Sequence, residues 1–261
     1  MPRITTSTGT SIGYIESGGG HATPIVFLHG VGSDKSVWHP QLDHFGKIRR
    51  TIAFDYPGYG DSDPAPDGTT RDDYAAAILS SMTALGVGQA HVCGLSLGGV
   101  VAIAMHNAAP ESCVSLILAD TFAVHPDGRA IYERGVAASG NLRAMAEARV
   151  DVLIAQPADP AVRQEIVETM SRIDPAAYRI GAEAVWLADQ LDRVRDIRVP
   201  TLIICGDDDK PTPPDLSREL HQMIAGSHLA MIPRAGHLTN LEQPELFNAA
   251  VDRFLADVEQ R

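Results

Sequence analysis

Six short runs of continuously apolar residues punctuate this chain: Pro24–His29, Thr51–Asp55, His91–Cys93, Val114–Ala119, Thr201–Cys205 and His228–Ile232. They are rich in β-branched residues and bounded by turn-forming ones, which marks them as strands. A strand that alternates apolar and polar residues has one wet face. A strand that is apolar throughout is covered on both faces, as parallel strands are between two layers of helices. The segment Ser11–Glu16 does alternate, which suits an antiparallel strand near an edge, with a turn at Gly18-Gly19-Gly20 after it.

The intervening segments carry helix signals. Thr70 with Asp73 forms a capping box in its acidic variant, and Gly86 is placed to stop that helix. Leu97 to Ala109 is small and apolar all round, the pattern of a buried helix, and the amphipathic stretch Pro244–Val258 closes the chain. The alternation predicts an α/β fold: a doubly wound, mostly parallel sheet with helices on both faces. One stretch breaks the rhythm. Residues 122–197 contain no strand signal, only helical segments punctuated by Gly140, Pro157, Pro160 and Pro175. At about 75 residues it is far longer than an ordinary crossover and reads as a helical cap inserted in the core. The predicted organisation is a core formed by residues 1–121 and 198–261, interrupted by a cap over 122–197.

Composition excludes several function classes. With 33 acidic against 21 basic residues the 261-residue chain carries a net charge of −12, opposed to binding nucleic acid or an anionic membrane surface. The longest apolar stretches, around Val100–Met105 and Val114–Ala119, fall far short of the ~18 residues a membrane span needs. The first residues lack the apolar segment of a secretory signal. Cys93, Cys113 and Cys205 are widely spaced, without a C-x-x-C pair, and read as buried reduced thiols of a cytoplasmic protein. No motif calls for a cofactor. The triple aspartate at 207–209 lacks a nearby His or Glu to complete a metal-ligand set. The oligomeric state is left open, a homo-oligomer included.

The chemistry sits in Gly94-Leu95-Ser96-Leu97-Gly98, which follows a predicted strand and opens a predicted helix. In that context G-x-S-x-G is a nucleophile elbow: a sharp strand-to-helix turn that lifts the serine hydroxyl clear and aims the helix N-terminus at the reacting centre. A serine needs a base, and in this topology the acid and then the histidine follow in chain order. Of ten histidines, His237 alone combines that order with a position just after the last predicted strand. The acid lies among Asp207, Asp208 and Asp209, after the next-to-last strand, with Asp120 a fourth candidate on another strand end. Oxyanion donors are expected from the backbone N–H of Leu97, next to the nucleophile, and of Val31, with Gly32 as alternative, in the loop after Leu28-His29-Gly30. Trp38, further along that loop, either lines the pocket or belongs to the core.

These elements together resemble the α/β-hydrolase fold family, in its serine-nucleophile branch, over nearly the whole chain. The resemblance rests on five segments in family order: Leu28-His29-Gly30, the D-x-x-G-x-G-x-S turn Asp55–Ser62, the elbow, the acid loop and Gly236-His237. It implies that the acid is the Asp of G-x-x-D, hence Asp209, and that the helical insert is the family's substrate-shaping cap. Relatives with an aspartate nucleophile, the haloalkane dehalogenases and epoxide hydrolases, are set aside by Ser96. The framing segments most resemble 3-oxoadipate enol-lactonases and small carboxylesterases. The cap departs from those lactonases, which carry an early Arg/Trp pattern for the substrate carboxylate. Here the stretch reads Thr121-Phe122-Ala123-Val124-His125-Pro126-Asp127-Gly128-Arg129, leaving Arg129 or His125 for that role and Tyr132, Tyr178 and Trp186 as candidate pocket aromatics.

The resemblance therefore implies a hydrolase of a small carboxylic ester or lactone, acting through an acyl-enzyme on Ser96 without metal or cofactor. Alternatives on the same fold are a C–C bond hydrolase of ring-fission products, a perhydrolase, and a receptor-type binder. The loop Val31-Gly32-Ser33-Asp34 lacks the glycine- and proline-rich character of the C–C hydrolases.

Overall fold

The computed structural model of the protein describes residues 2–260. Eight strands form one sheet: β1 (Arg3–Thr5), β2 (Ser11–Ser17), β3 (Ile25–Leu28), β4 (Thr51–Phe54), β5 (Ala90–Leu95), β6 (Cys113–Ala119), β7 (Thr201–Gly206) and β8 (His228–Ile232). Their order is β1-β2-β4-β3-β5-β6-β7-β8. The β1–β2 and β2–β4 pairs are antiparallel, and every pair from β4 to β8 is parallel. All residues of β3, β4, β5 and β7 are buried, as continuous apolar runs require, whereas β2 mixes buried and accessible positions. The three-residue β1 extends the antiparallel edge beyond what the hydropathy pattern announced, because only Ile4 in it is apolar.

Helices α1 (His39–Phe45), α2 (Arg71–Ala84) and α3 (Leu97–Ala108) fill the first crossovers. The Thr70 capping box forms with both reciprocal bonds, and Gly86 follows the α2 terminus at φ 71°. Ten of the twelve residues of α3 are buried. Between β6 and β7 lie five helices and no strand: α4 (Gly128–Ala138), α5 (Leu142–Leu153), α6 (Pro160–Ser171), α7 (Pro175–Trp186) and α8 (Leu191–Arg195). A single isolated bridge, Val124 to Asp189, closes the base of this insert. Helices α9 (Pro214–Met223), α10 (Thr239–Glu242) and α11 (Pro244–Glu259) complete the chain. No helix among the described residues is long and apolar enough to cross a membrane.

One topological fact positions the site. From β3 the chain steps outward to β4, then returns past β3 to β5 on its other side. The loops leaving β3 and β5 therefore diverge, and a crevice opens at their carboxyl ends, where ligands bind in open α/β sheets. His29-Gly30-Val31 and Ser96 emerge into that crevice.

Candidate active site

Ser96 joins β5 to α3 with φ 54° and ψ −113°, a left-handed backbone rare for a residue with a side chain. The turn is this sharp because its flanks touch. A Cβ on Gly94 would sit 2.1 Å from the Gly98 carbonyl oxygen, and one on Gly98 would sit 2.1 Å from the Leu28 carbonyl oxygen. Only glycine fits at either position. The strained residue is tied down on both sides, its N–H donating to the Ala119 carbonyl at 2.9 Å and its carbonyl accepting from Thr121 Oγ1 at 2.9 Å.

The three polar side chains expected to work together do meet. His237 Nε2 lies 3.0 Å from Ser96 Oγ, and His237 Nδ1 lies 3.0 Å from Asp209 Oδ2. All three residues are buried. Asp209 is held in turn by the Thr212 N–H at 2.9 Å and the Thr212 hydroxyl at 2.7 Å. Its neighbours are otherwise employed. Asp207 accepts from the Arg234 N–H at 2.8 Å, and the exposed Asp208 sits 3.5 Å from Lys210 Nζ. Burial opposes protonation of His237, but the charge and hydrogen bond of Asp209, with Asp120 and Glu242 nearby, outweigh it, and its pKa ends above the ordinary histidine value.

Asp120, at the end of β6 with φ 47°, accepts from the Gly206 N–H at 3.0 Å and meets the Thr239 hydroxyl at 2.5 Å. It makes no hydrogen bond to His237. Burial first, and then the negative charge of Asp209, hold its carboxyl well above the carboxylate range. Asp120, Cys205 and Asp209 do bring two carboxylates and a thiol within 4.8 Å of one another. Both carboxylates are already engaged, and burial pushes the Cys205 thiol up, away from the thiolate that metals bind. Asp209 serves His237 and Thr212, and Asp120 serves Gly206 and Thr239.

The turn Asp55–Ser62 supports the β3 loop. Asp55 accepts from the Lys35 N–H at 2.9 Å, from Lys35 Nζ at 2.5 Å and from the Asp61 N–H at 2.9 Å, folding the turn around a buried carboxylate. From it, Tyr56 Oη donates to the His29 carbonyl at 3.2 Å and Tyr59 Oη to the Val31 carbonyl at 3.3 Å. The Gly30 carbonyl between them lies 2.8 Å from His29 Nδ1 and accepts from the Ser33 N–H at 3.2 Å. The N–H groups of Val31 and Leu97 have no protein acceptor among the described residues.

Above Ser96 and His237 lies a cavity of about 60 Å³. Its walls include Val31, Leu153, Ile166, Met170 and Leu238, with Tyr178, Trp186 and Arg149 as the further contributions of the cap. Trp186, one of the expected pocket residues, is thus in place, its ring stacked on Phe122 at 5.8 Å. Three other expectations are corrected. Trp38 is fully buried between Phe27 and Phe247, at 4.8 and 6.0 Å, and belongs to the core beneath the sheet. Arg129 is exposed and Tyr132 half-buried, and neither borders the cavity or the groove outside it. The reason is helical phase. Ala130, Ile131, Arg134, Gly135 and Ala138 of α4 turn one face to that groove, and at 100° per residue Arg129 and Tyr132 point away from it. His125 borders the groove, but both ring nitrogens are occupied: Nδ1 accepts from the Asp127 N–H at 3.1 Å, so Nε2 donates to the Pro211 carbonyl at 3.1 Å.

Two positions at the site escaped the sequence reading. Arg149 on α5 reaches the cavity, where the cue was an amphipathic face at Met145, Arg149 and Val152 with nothing to say what that face meets. Glu242 gathers the N–H groups of Gly236 (3.0 Å), Leu238 (3.2 Å) and Ala155 (2.7 Å), joining the His237 loop to the cap. A second tie runs from the His237 N–H to the Leu153 carbonyl at 2.7 Å.

Comparison with known proteins agrees with this architecture. The 3-oxoadipate enol-lactonase 1 of Acinetobacter baylyi is 27% identical over 260 residues, covering 98% of this chain and 97% of its own. The dihydrolipoyllysine-residue acetyltransferase component of the acetoin cleaving system of Pseudomonas putida is 29% identical over 259 residues, covering 95% of this chain and 67% of its own. Among solved structures, the enol-lactonase from Burkholderia xenovorans LB400 superposes with a TM-score of 0.90 at 28% identity, over 98% of this chain and 100% of that one. A thermophilic esterase from Thermogutta terrifontis gives 0.89 at 26% identity, over 98% of each chain. The profile described as the Alpha/beta hydrolase family matches residues 25–250. With a profile match across most of its length, and a sheet order and elbow of the expected kind, the chain belongs to the alpha/beta hydrolase family.

Proposed function

We propose that the protein hydrolyses a small carboxylic ester or lactone through an acyl-enzyme on Ser96. The observation that carries the reading is the unbroken relay Ser96 Oγ–His237–Asp209, each link 3.0 Å long, opening into a cavity. His237 Nε2 takes the Ser96 proton as Oγ attacks the acyl carbon. Asp209 keeps the remaining proton on Nδ1 and stabilises the imidazolium that forms. The oxyanion of the tetrahedral intermediate is held by the Leu97 and Val31 N–H groups, which are free to donate. The protonated His237 then gives its proton to the leaving alkoxide. Water, deprotonated by the same nitrogen, attacks the ester carbon, and collapse of the second intermediate returns the proton to Ser96 and releases the acid. The enol-lactonase and esterase relatives support an ester or lactone as the bond broken.

Ser96→Ala is expected to abolish hydrolysis of p-nitrophenyl acetate while leaving the thermal transition intact, and a fluorophosphonate is expected to label the native protein at Ser96. Hydrolysis undiminished in Ser96→Ala would refute the assignment. A folded native sample that resists labelling would indicate a binding protein on this fold. Turnover of a ring-fission dienoate in preference to any ester would indicate C–C hydrolysis.

A further inference from the structure

The cavity over Ser96 is lined mostly by apolar side chains, yet α5 contributes one arginine to its lining. Arg149 borders the cavity and is half-buried. Among the described residues no carboxylate lies within ion-pair distance of it. Its one polar contact is the Tyr178 hydroxyl, at 3.5 Å, too long to satisfy a five-donor fork. An arginine stays charged in any protein environment, and a half-buried one without a counter-ion is placed to receive the charge of an anionic ligand. Tyr178 is an equally suitable neighbour, because burial raises its pKa and keeps its hydroxyl proton available to donate.

The surroundings have the same sign. Arg149, Trp186 and Pro211 also border a larger groove of about 780 Å³ that adjoins the cavity on its outer side. Arg134 and Lys210 line that groove, and its one acidic lining residue is Asp127. The Lys210 charge is partly offset by Asp208 at 3.5 Å, and burial lowers the His125 pKa so that it adds no cation. On a chain with net charge −12 this is a local positive approach leading to a positive end point, which concentrates anions against the general field.

Resting on the serine-hydrolase reading, we propose that Arg149 is the specificity-determining residue of the site: with Tyr178 it anchors a carboxylate carried by the substrate, so the natural substrate is an acidic ester or lactone. The guanidinium offers two parallel N–H donors to a carboxylate, among walls that are mostly apolar. This places the carboxylate anchor at the far end of α5, and not in the early cap segment around Arg129.

Two ester pairs of matched size test the proposal: p-nitrophenyl butyrate against mono-p-nitrophenyl succinate, with the carboxylate on the acyl side, and phenyl acetate against 4-acetoxybenzoate, with it on the leaving side. The native enzyme is expected to favour the acidic member of at least one pair in kcat/KM. Arg149→Met is expected to reduce that preference about 10- to 100-fold, mostly through KM, as loss of a charge-assisted pair does. Arg149→Lys should restore part of it. A preference for the neutral ester in both pairs, or one that Arg149→Met leaves intact, overturns the proposal. Calorimetric titration of glutarate into Ser96→Ala separates the two readings, since binding needs no chemistry. Binding weakened at least tenfold by adding Arg149→Met supports the anchor even if no ester is turned over, and equal or absent binding rejects it even if esters are.

Discussion

Replacing Glu242 tests whether His237, the proposed base, is positioned by the cap. Its carboxylate accepts from three backbone N–H groups, two flanking His237 and one just after α5. In Glu242→Gln one oxygen becomes an NH2 group. If the remaining oxygen keeps Gly236 and Leu238, the amide faces the Ala155 N–H, donor against donor, and one bond is lost. The two that survive change from charge-assisted to neutral, from ~1.5–3 to ~0.5–1.5 kcal/mol each. The three changes together come to about 3.5–6 kcal/mol. For a chain of this size 1 kcal/mol moves Tm by roughly 2–4 °C, so a fall of about 7–24 °C is expected. Glu242→Leu removes every acceptor and should fall at least as far. Because the bonds fix the loop carrying the base, kcat for p-nitrophenyl acetate should drop about 10- to 100-fold in Glu242→Gln, with a smaller change in KM. Thermal unfolding followed by circular dichroism and steady-state kinetics measure both. A variant that melts within 2 °C of the native protein and keeps its kcat would refute the reasoning.

Other residues yield further predictions. Asp209→Asn should lower kcat by ~10³–10⁴-fold through the wrong His237 tautomer. It should also move the acidic limb of the kcat/KM pH profile downward, because Asp209 is what raises the His237 pKa against its burial, and activity requires the neutral base. Asp120→Asn should leave kcat within twofold at pH 7 and stability within about 1 kcal/mol, since the amide oxygen can accept from the Gly206 N–H and the amide NH2 can donate to the Thr239 hydroxyl. Asp120→Ala, which strands the buried Gly206 N–H, should cost about 1–3 kcal/mol by denaturant titration. Gly98→Ala should cost more than any of these, because its Cβ has no space beside the Leu28 carbonyl.

What the sequence made legible is what local physics enforces. Continuous apolar runs identify β3 to β7 because a doubly covered strand admits few polar side chains, and those it does admit are partnered, as His91 is by Ser115. The elbow is legible because Gly94 and Gly98 cannot be anything larger. Asp209 could be chosen among three neighbours only through its family motif; the structure separates them by what they touch, since Asp207 serves Arg234 and Asp208 faces solvent. The cap was opaque for a different reason. Which arginine reaches a cavity depends on the rotational phase of each helix against four others, and Arg129 and Arg149 look alike until that packing is known. Trp38 misled similarly: its loop borders the crevice, but the 3-10 turn Lys35–Trp38 carries the indole down into the core.

The loop after β3 has a kinetic consequence. The Gly30–Val31 peptide is immobilised through its carbonyl, by His29 and Ser33, while Tyr56 and Tyr59 hold the carbonyls on either side. Turning that peptide over would break several buried bonds at once, so the amide on its other face is already in position in the unliganded protein. An enzyme whose charge-stabilising dipoles are set in advance draws no binding energy from the substrate to assemble them. Under the serine-hydrolase reading, even a minimal acetyl ester, touching little beyond Ser96, should react at a respectable rate once bound. Discrimination among larger substrates would then appear in how readily they are captured, and not in how fast they are cleaved.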